Sequence, residues 1–223
     1  MTSSVGFCAL PARLESSQVH RMRTSVPPSR YARAGSVLAG GLLIASASVR
    51  AEGTSEWALT GYVGRITTVN AWHDIFMHPN ELEFADAYLA TVALTHPLRR
   101  YHDDDLGLET EGQVVYNFGD QSHWEFNALF AARWYRFPWN ESVETTLAFG
   151  GGLSWATEVP EVEVDLEGSS EQLLFYWHLE MTFARPGSSW AGTLRLHHRS
   201  GGFGLLADDG GMNALCLGLK RSF

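Results

Sequence analysis

Two side chains near the end of the chain have the types and spacing for nucleophilic chemistry. His198 and Ser200 stand two residues apart in Arg195-Leu-His-His-Arg-Ser200. A histidine that takes the proton of a serine hydroxyl converts a weak nucleophile into one that can attack an ester, provided something holds the imidazole in place. On an extended strand, residues i and i+2 share a face and lie roughly 7 Å apart. An imidazole can reach a hydroxyl across that gap. The pair is therefore meaningful only if residues 190–200 form a strand, and only if the shared face meets a substrate.

The segments that would position the pair alternate with period two, the mark of strands with one apolar face. Leu106, Leu108, Val114, Tyr116 and Phe118 fall on one parity, and Glu109, Glu111, Gln113 and Asn117 on the other. The same pattern marks eight segments: 57–68, 82–95, 106–118, 123–136, 143–157, 173–184, 190–200 and 213–223. Most exceed the 5–6 residues or so of an ordinary strand and match the roughly 9–11 needed to cross a bilayer at a tilt. Trp57, Trp124, Trp134, Trp155 and Trp190 sit near segment ends, as in the interfacial girdles of membrane barrels. An even number of strands closes without exposed edges. The expected fold is all-β, an eight-stranded antiparallel transmembrane β-barrel in the outer membrane, with a soluble lipocalin-like barrel as the competing architecture. Loops 69–81, 119–122, 158–170 and 201–212 would face outward, and turns 96–105, 137–142 and 185–189 the periplasm.

The chain has 223 residues, enough for a leader and one domain. Residues 34–51 read AGSVLAGGLLIASASVRA. Their apolar run is too short for a membrane-spanning helix, which needs about 20 residues. It follows arginines and ends in small residues, the layout of a secretory signal peptide over 1–51, with Met22 as an alternative start. The barrel domain is then 52–223. Removing six arginines and one glutamate from the 16 basic and 25 acidic residues leaves 10 and 24, a net charge of −14. Such a balance excludes nucleic acid as a partner, because phosphate binding needs clustered Lys and Arg. Only Cys216 remains after cleavage, so no disulfide staples the domain. No cofactor-binding or metal-ligand spacing is present.

Parity places the pair. In segment 190–200 the lipid-facing set is Trp190, Gly192, Leu194 and Leu196, and it continues through His198 and Ser200. Polar groups on that face are costly except at the interface, which is where these two fall. Arg195 and Arg199 point inward. His178 and Glu180 share the inward face of their segment and are expected in a lumen network with Arg133 and Glu125. His102-Asp103-Asp104-Asp105 is read as a solvated turn rather than a metal site.

His198-Arg199-Ser200, near the end of an eight-stranded pattern and about 25 residues before a terminal Phe, resembles the PagL-type lipid A 3-O-deacylases. The resemblance implies an outer-membrane esterase that hydrolyses an ester-linked acyl chain of lipid A and needs no cofactor. It also implies a His–Ser pair on the outward face and a residue on the last strand that orients the His. Counting back from Phe223 brings that third position to Asn213, which is uncharged. Asp209, with Asp208 beside it in the preceding loop, is the alternative orienting acid. The implied catalytic set is Ser200 as nucleophile, His198 as base, and Asn213 or Asp209 as orienter. The family usually has Asn directly after the Ser, where this chain has Gly201. Phe223, with Leu217 and Leu219 on its parity, resembles the C-terminal signal read by the barrel-assembly machinery. The implied lipid partner is lipopolysaccharide. The competing function is a non-catalytic barrel with a structural or surface-interaction role.

Overall fold

A computed structural model describes residues 57–68 and 72–223; the signal peptide expected over 1–51 lies outside them. Eight strands run in chain order: β1 (Ala58–Thr67), β2 (Phe84–Tyr101), β3 (Leu106–Gly119), β4 (His123–Trp134), β5 (Glu144–Ala156), β6 (Leu173–Ala184), β7 (Trp190–Ser200) and β8 (Gly211–Ser222). Each pairs antiparallel with the next, and β8 returns to β1 from Ala58↔Ser222 to Thr67↔Asn213. The barrel is closed, so every strand has two partners and no edge is left. Two short helices decorate one end, α1 (Trp72–Met77) and α2 (Glu161–Glu167). The end with the longer loops is the external one by the rule for such barrels.

One boundary differs markedly from the sequence reading. β2 continues through Tyr101, so the turn expected over 96–105 shrinks to 102–105. It closes by placing His102, Asp103 and Asp104 in left-handed conformation, at φ 53°, 53° and 69°. Short polar side chains tolerate that region better than most. The stretch is a tight turn, and among the described residues no group of metal-ligating side chains gathers there or elsewhere.

The barrel is inside out relative to a soluble protein. Val63, Val92, Phe126, Phe130, Phe149, Leu194, Leu217 and Leu219 are exposed on its outer wall. The buried interior holds Glu109, Glu111, Glu125, Glu180, Arg133, Arg195, Arg199 and His197. Trp124 and Trp155 are exposed toward the external end, and Trp57, Trp134 and Trp190 toward the other. An apolar exterior flanked by aromatics around a charged interior is the surface of a barrel solvated by lipid. It excludes the lipocalin-like alternative, whose apolar side faces inward.

The lumen charges neutralise one another. Arg195 donates to Glu111 at 2.6 and 3.1 Å and to Glu180 at 2.8 Å. Arg133 donates to Glu109 at 2.7 Å, to Glu180 at 2.8 Å and to Thr146 at 2.8 Å. Gln113 bridges upward, donating to Glu111 at 2.7 Å and accepting from Asn127 at 2.9 Å. Asn127 in turn donates to Glu125 at 2.7 Å. The expected network therefore exists with a different membership. Glu180 meets Arg133, whereas Glu125 lies higher, with His197 at 3.1 Å and Arg199 at 3.7 Å. His178 is buried without a hydrogen-bond partner, set edge-on to Tyr176. It fits because Gly150 faces it; a Cβ there would come within 2.9 Å of His178 Cε1 and 2.6 Å of Leu129.

The acidic loop between β5 and β6 lies at the external end, as expected, and folds over the mouth of the barrel. Its helix α2 buries Val162 and Glu163. Val162 joins the interior cluster of Ile66, Leu89, Met212 and Ala214. Glu163 accepts from Ser170 Oγ at 2.5 Å and lies 3.3 Å from Arg199 Nε. Burial pushes the Glu163 carboxyl above the ordinary range, against the pull of Arg199 and Ser170.

Two outcomes test this account. Arg195→Ala leaves Glu111 and Glu180 facing each other without their shared cation, and should destabilise the barrel by about 3–5 kcal/mol. Urea unfolding followed by heat-modifiable gel mobility reads that loss. For Glu163, a raised folded-state pKa means a stabilising contribution that is full below the unfolded pKa and lost as pH rises through the folded value. Proteolysis of 157–172 should therefore be slower at pH 5 than at pH 8, and Glu163→Gln should flatten the difference.

Candidate functional site on the outer wall

Register assembles a row of side chains across the outward face near the external rim. Trp177 of β6 pairs with His198 of β7, His198 with Asn213 of β8, and Asn213 with Thr67 of β1. Each is on the lipid-facing parity of its strand. His198 Nδ1 lies 2.7 Å from Asn213 Oδ1. An amide oxygen only accepts, so Nδ1 carries the proton. Nε2 is thereby left with the lone pair, the tautomer a general base requires.

This row is covered, unlike the wall below it. On the same faces Leu194 and Leu217 are 46% and 63% exposed, yet His198 is only 8% and Asn213 1% exposed. The Trp177 ring lies over His198 with centroids 4.5 Å apart. Trp72 of α1 meets Trp177 edge-on at 5.7 Å. The first external loop thus packs against the outside of the wall, and a polar pair on a lipid-facing surface is kept out of lipid. Sequence reasoning missed Trp177 and Trp72. Trp177 had the right parity, but only cross-strand register puts it beside His198.

Ser200 is half-buried at the end of β7, between Phe175 and Gly211. It shares the outward face with His198, two residues away. No hydrogen bond joins the two, so the hydroxyl must turn toward Nε2 for proton transfer. The expected alternative orienter does not reach the imidazole. No hydrogen bond connects Asp209 to His198; burial, and then the charge of Asp209, raises the Glu167 carboxyl.

Gly201 has a steric reason. Its N–H donates to Gly210 O at 3.3 Å, and its carbonyl accepts from Leu206 N at 3.0 Å. A Cβ at 201 would fall 2.3 Å from Ala207 O. The loop is wound too closely here for any side chain, including the asparagine of the similar family.

Between the two candidate residues, Arg199 points inward and is fully buried. It donates to the carbonyls of Glu171 at 3.3 Å and Gln172 at 3.4 Å. Glu163 and Glu125 flank its guanidinium. The strand carrying His198 and Ser200 is thus tied from inside to the loop that bears α2.

No family model matches the sequence, and no curated protein does. Among solved structures, the fold is similar to the outer membrane enzyme PagL, with a TM-score of 0.51 and 12% identity over 74% of this chain and 98% of that one. It is also similar to Neisserial surface protein A, NspA (TM-score 0.46, 8% identity, 76% and 98% covered). A third is Ail, the attachment invasion locus protein of Yersinia pestis (0.43, 14%, 76% and 99%). With its lipid-facing exterior, the chain is an outer-membrane eight-stranded β-barrel.

Gly201→Asn, which installs the asparagine usual in PagL-type enzymes, should disturb the 201–210 loop rather than complete a site. Limited proteolysis should cut that loop faster than in the parent, while the barrel keeps its heat-modifiable mobility.

Proposed function

We propose that this barrel is an outer-membrane ester hydrolase acting on an acyl chain of an outer-leaflet glycolipid, in the manner of lipid A 3-O-deacylases. The observation that carries this reading is the His198–Asn213 hydrogen bond on the outward wall. It orients an imidazole toward the lipid side with Nε2 free, in a position where a wall needs only apolar side chains. Ser200 stands two residues further along the same outward face of β7. The fold-level likeness to PagL points the same way.

In this mechanism Ser200 Oγ attacks the ester carbonyl carbon while its proton passes to His198 Nε2. The imidazolium then returns that proton to the departing alkoxide. Water attacks the acyl-serine, again with His198 as base, and releases the fatty acid. Asn213 holds the ring through Nδ1–H. Its neutral amide supports the imidazolium less than a carboxylate would.

One observation favours a second reading, a non-catalytic barrel with a surface-interaction role. Trp177 and α1 close over His198, and the imidazole makes no hydrogen bond to Ser200. In that case the His198–Asn213 pair serves to seat the first external loop.

Mass spectrometry of lipid A from expressing cells separates the two. The parent should remove one acyl chain, and Ser200→Ala should remove none. His198→Ala should slow the reaction on the order of 10²–10⁴-fold, and Asn213→Asp should leave it equal or faster. Identical acylation in cells with the parent, Ser200→Ala and no barrel, when all variants are folded in the membrane, sinks the enzyme reading.

A further inference from the structure

The external rim is not uniform. Over the lumen, α2 turns Val162 and Leu166 inward against the interior cluster and leaves Val164 at its surface. The β3–β4 connection is short and polar, through Asp120, Gln121 and Ser122. Along the β6–β7–β8 sector the loops do the opposite. Both rest on outward aromatic residues of β6: Trp72 of α1 on Trp177, and Gly202 on Phe175, where a Cβ at 202 would overlap the ring at 1.9 Å. Trp177 also packs against Phe149 on the lipid-facing wall at 5.8 Å. By register Phe175 neighbours Leu153, two residues from the Trp155↔Leu173 pair at the external girdle. These loops therefore lie against the outside of the barrel, at girdle height.

From that position they present apolar side chains that nothing in the described protein covers. In α1, Phe76 and Met77 are exposed at 53% and 71%. In the last loop, Leu205 is 78% exposed and Phe203 fully so. Residues 201–207 carry no charge. Phe203 is held at φ 59°, in the left-handed region that bulky residues avoid. Strained backbone that displays an apolar side chain away from its own protein marks a contact made outside it. A protein partner would need these residues above the membrane, but their seats on Trp177 and Phe175 hold them beside it.

We propose that α1 and the 201–207 loop form a one-sided interfacial anchor, which inserts Phe76, Met77, Phe203 and Leu205 into the headgroup–acyl boundary of the outer leaflet. Apolar and aromatic side chains at that depth gain burial that water denies them. The lipid boundary then stands higher on the β6–β7–β8 sector than on the β3–β4 side, and the His198–Asn213 row lies beneath it. The anchor does not depend on catalysis by that row.

Spin labels on Phe203→Cys and Leu205→Cys test this in the full barrel refolded into phosphatidylcholine–phosphatidylglycerol vesicles. Leu217→Cys supplies the lipid reference and Ser122→Cys the aqueous one. Collisions with oxygen should dominate over those with a water-soluble nickel chelate at 203 and 205, as at 217. Because a label is itself apolar, hydroxyl-radical footprinting of the unaltered chain supplies the second measurement. Oxidation of Met77 and Phe203 should fall several-fold on transfer from detergent to vesicles. Nickel accessibility at 203 and 205 equal to that at 122, or unprotected Met77 and Phe203, overturns the anchor and returns these side chains to an aqueous partner.

Discussion

The structure depends on the buried ion network around Arg195. A barrel that shows its apolar face to lipid must fill its narrow lumen with what remains, and here that is charge. A lone buried ion would be prohibitive, but Arg195 stands between Glu111 and Glu180, and Arg133 between Glu109 and Glu180. Paired and hydrogen-bonded, such groups are tolerated and fix register, because sliding one strand past another would separate every pair. The small interior residues of β1, β5 and β8, such as Gly150 and Ala214, make room for the long ones on β3, β4, β6 and β7.

That network reaches the outer wall through one strand. β7 carries Arg195 and Arg199 on its inner parity and His198 and Ser200 on its outer one. Arg195 locks the middle of the strand. Arg199 locks its end to Glu163 and to the carbonyls of Glu171 and Gln172. A side chain cannot turn on a strand held on both sides of it. The outward His198 is therefore oriented from within the barrel as well as by Asn213, and the loop carrying α2 is mechanically continuous with the candidate site.

The external loops divide into two kinds by which way they fold. α2 closes inward and hands its carboxylate to the lumen network. α1 and the last loop fold outward onto Trp177 and Phe175. The first kind caps the external mouth of the lumen, and the second changes what lipid meets on one flank. That division makes the β6–β7–β8 sector chemically distinct on a barrel whose remaining wall is ordinary apolar surface.

Period-two alternation by itself determined the eight strands, their inward and outward faces, and the outward parity of His198 and Ser200, because a strand's side chains can only alternate. It could not determine register, which depends on hydrogen bonding between segments far apart in the chain. Asn213 was already named as the orienter by its distance from Phe223; register is what set it against His198, put Trp177 over the ring and separated Glu125 from Arg133. Loop direction was equally illegible. The sequence put loop 158–170 at the external end but did not say which way it folds there, and Arg199 in the mouth of the lumen holds Glu163 inward. Asp209, the alternative orienter by its charge and position, makes no hydrogen bond to His198, whose Nδ1 is held by Asn213. The need for Gly201 was also invisible in the sequence, since the atom that forbids a side chain there, Ala207 O, is brought close only by the folded loop.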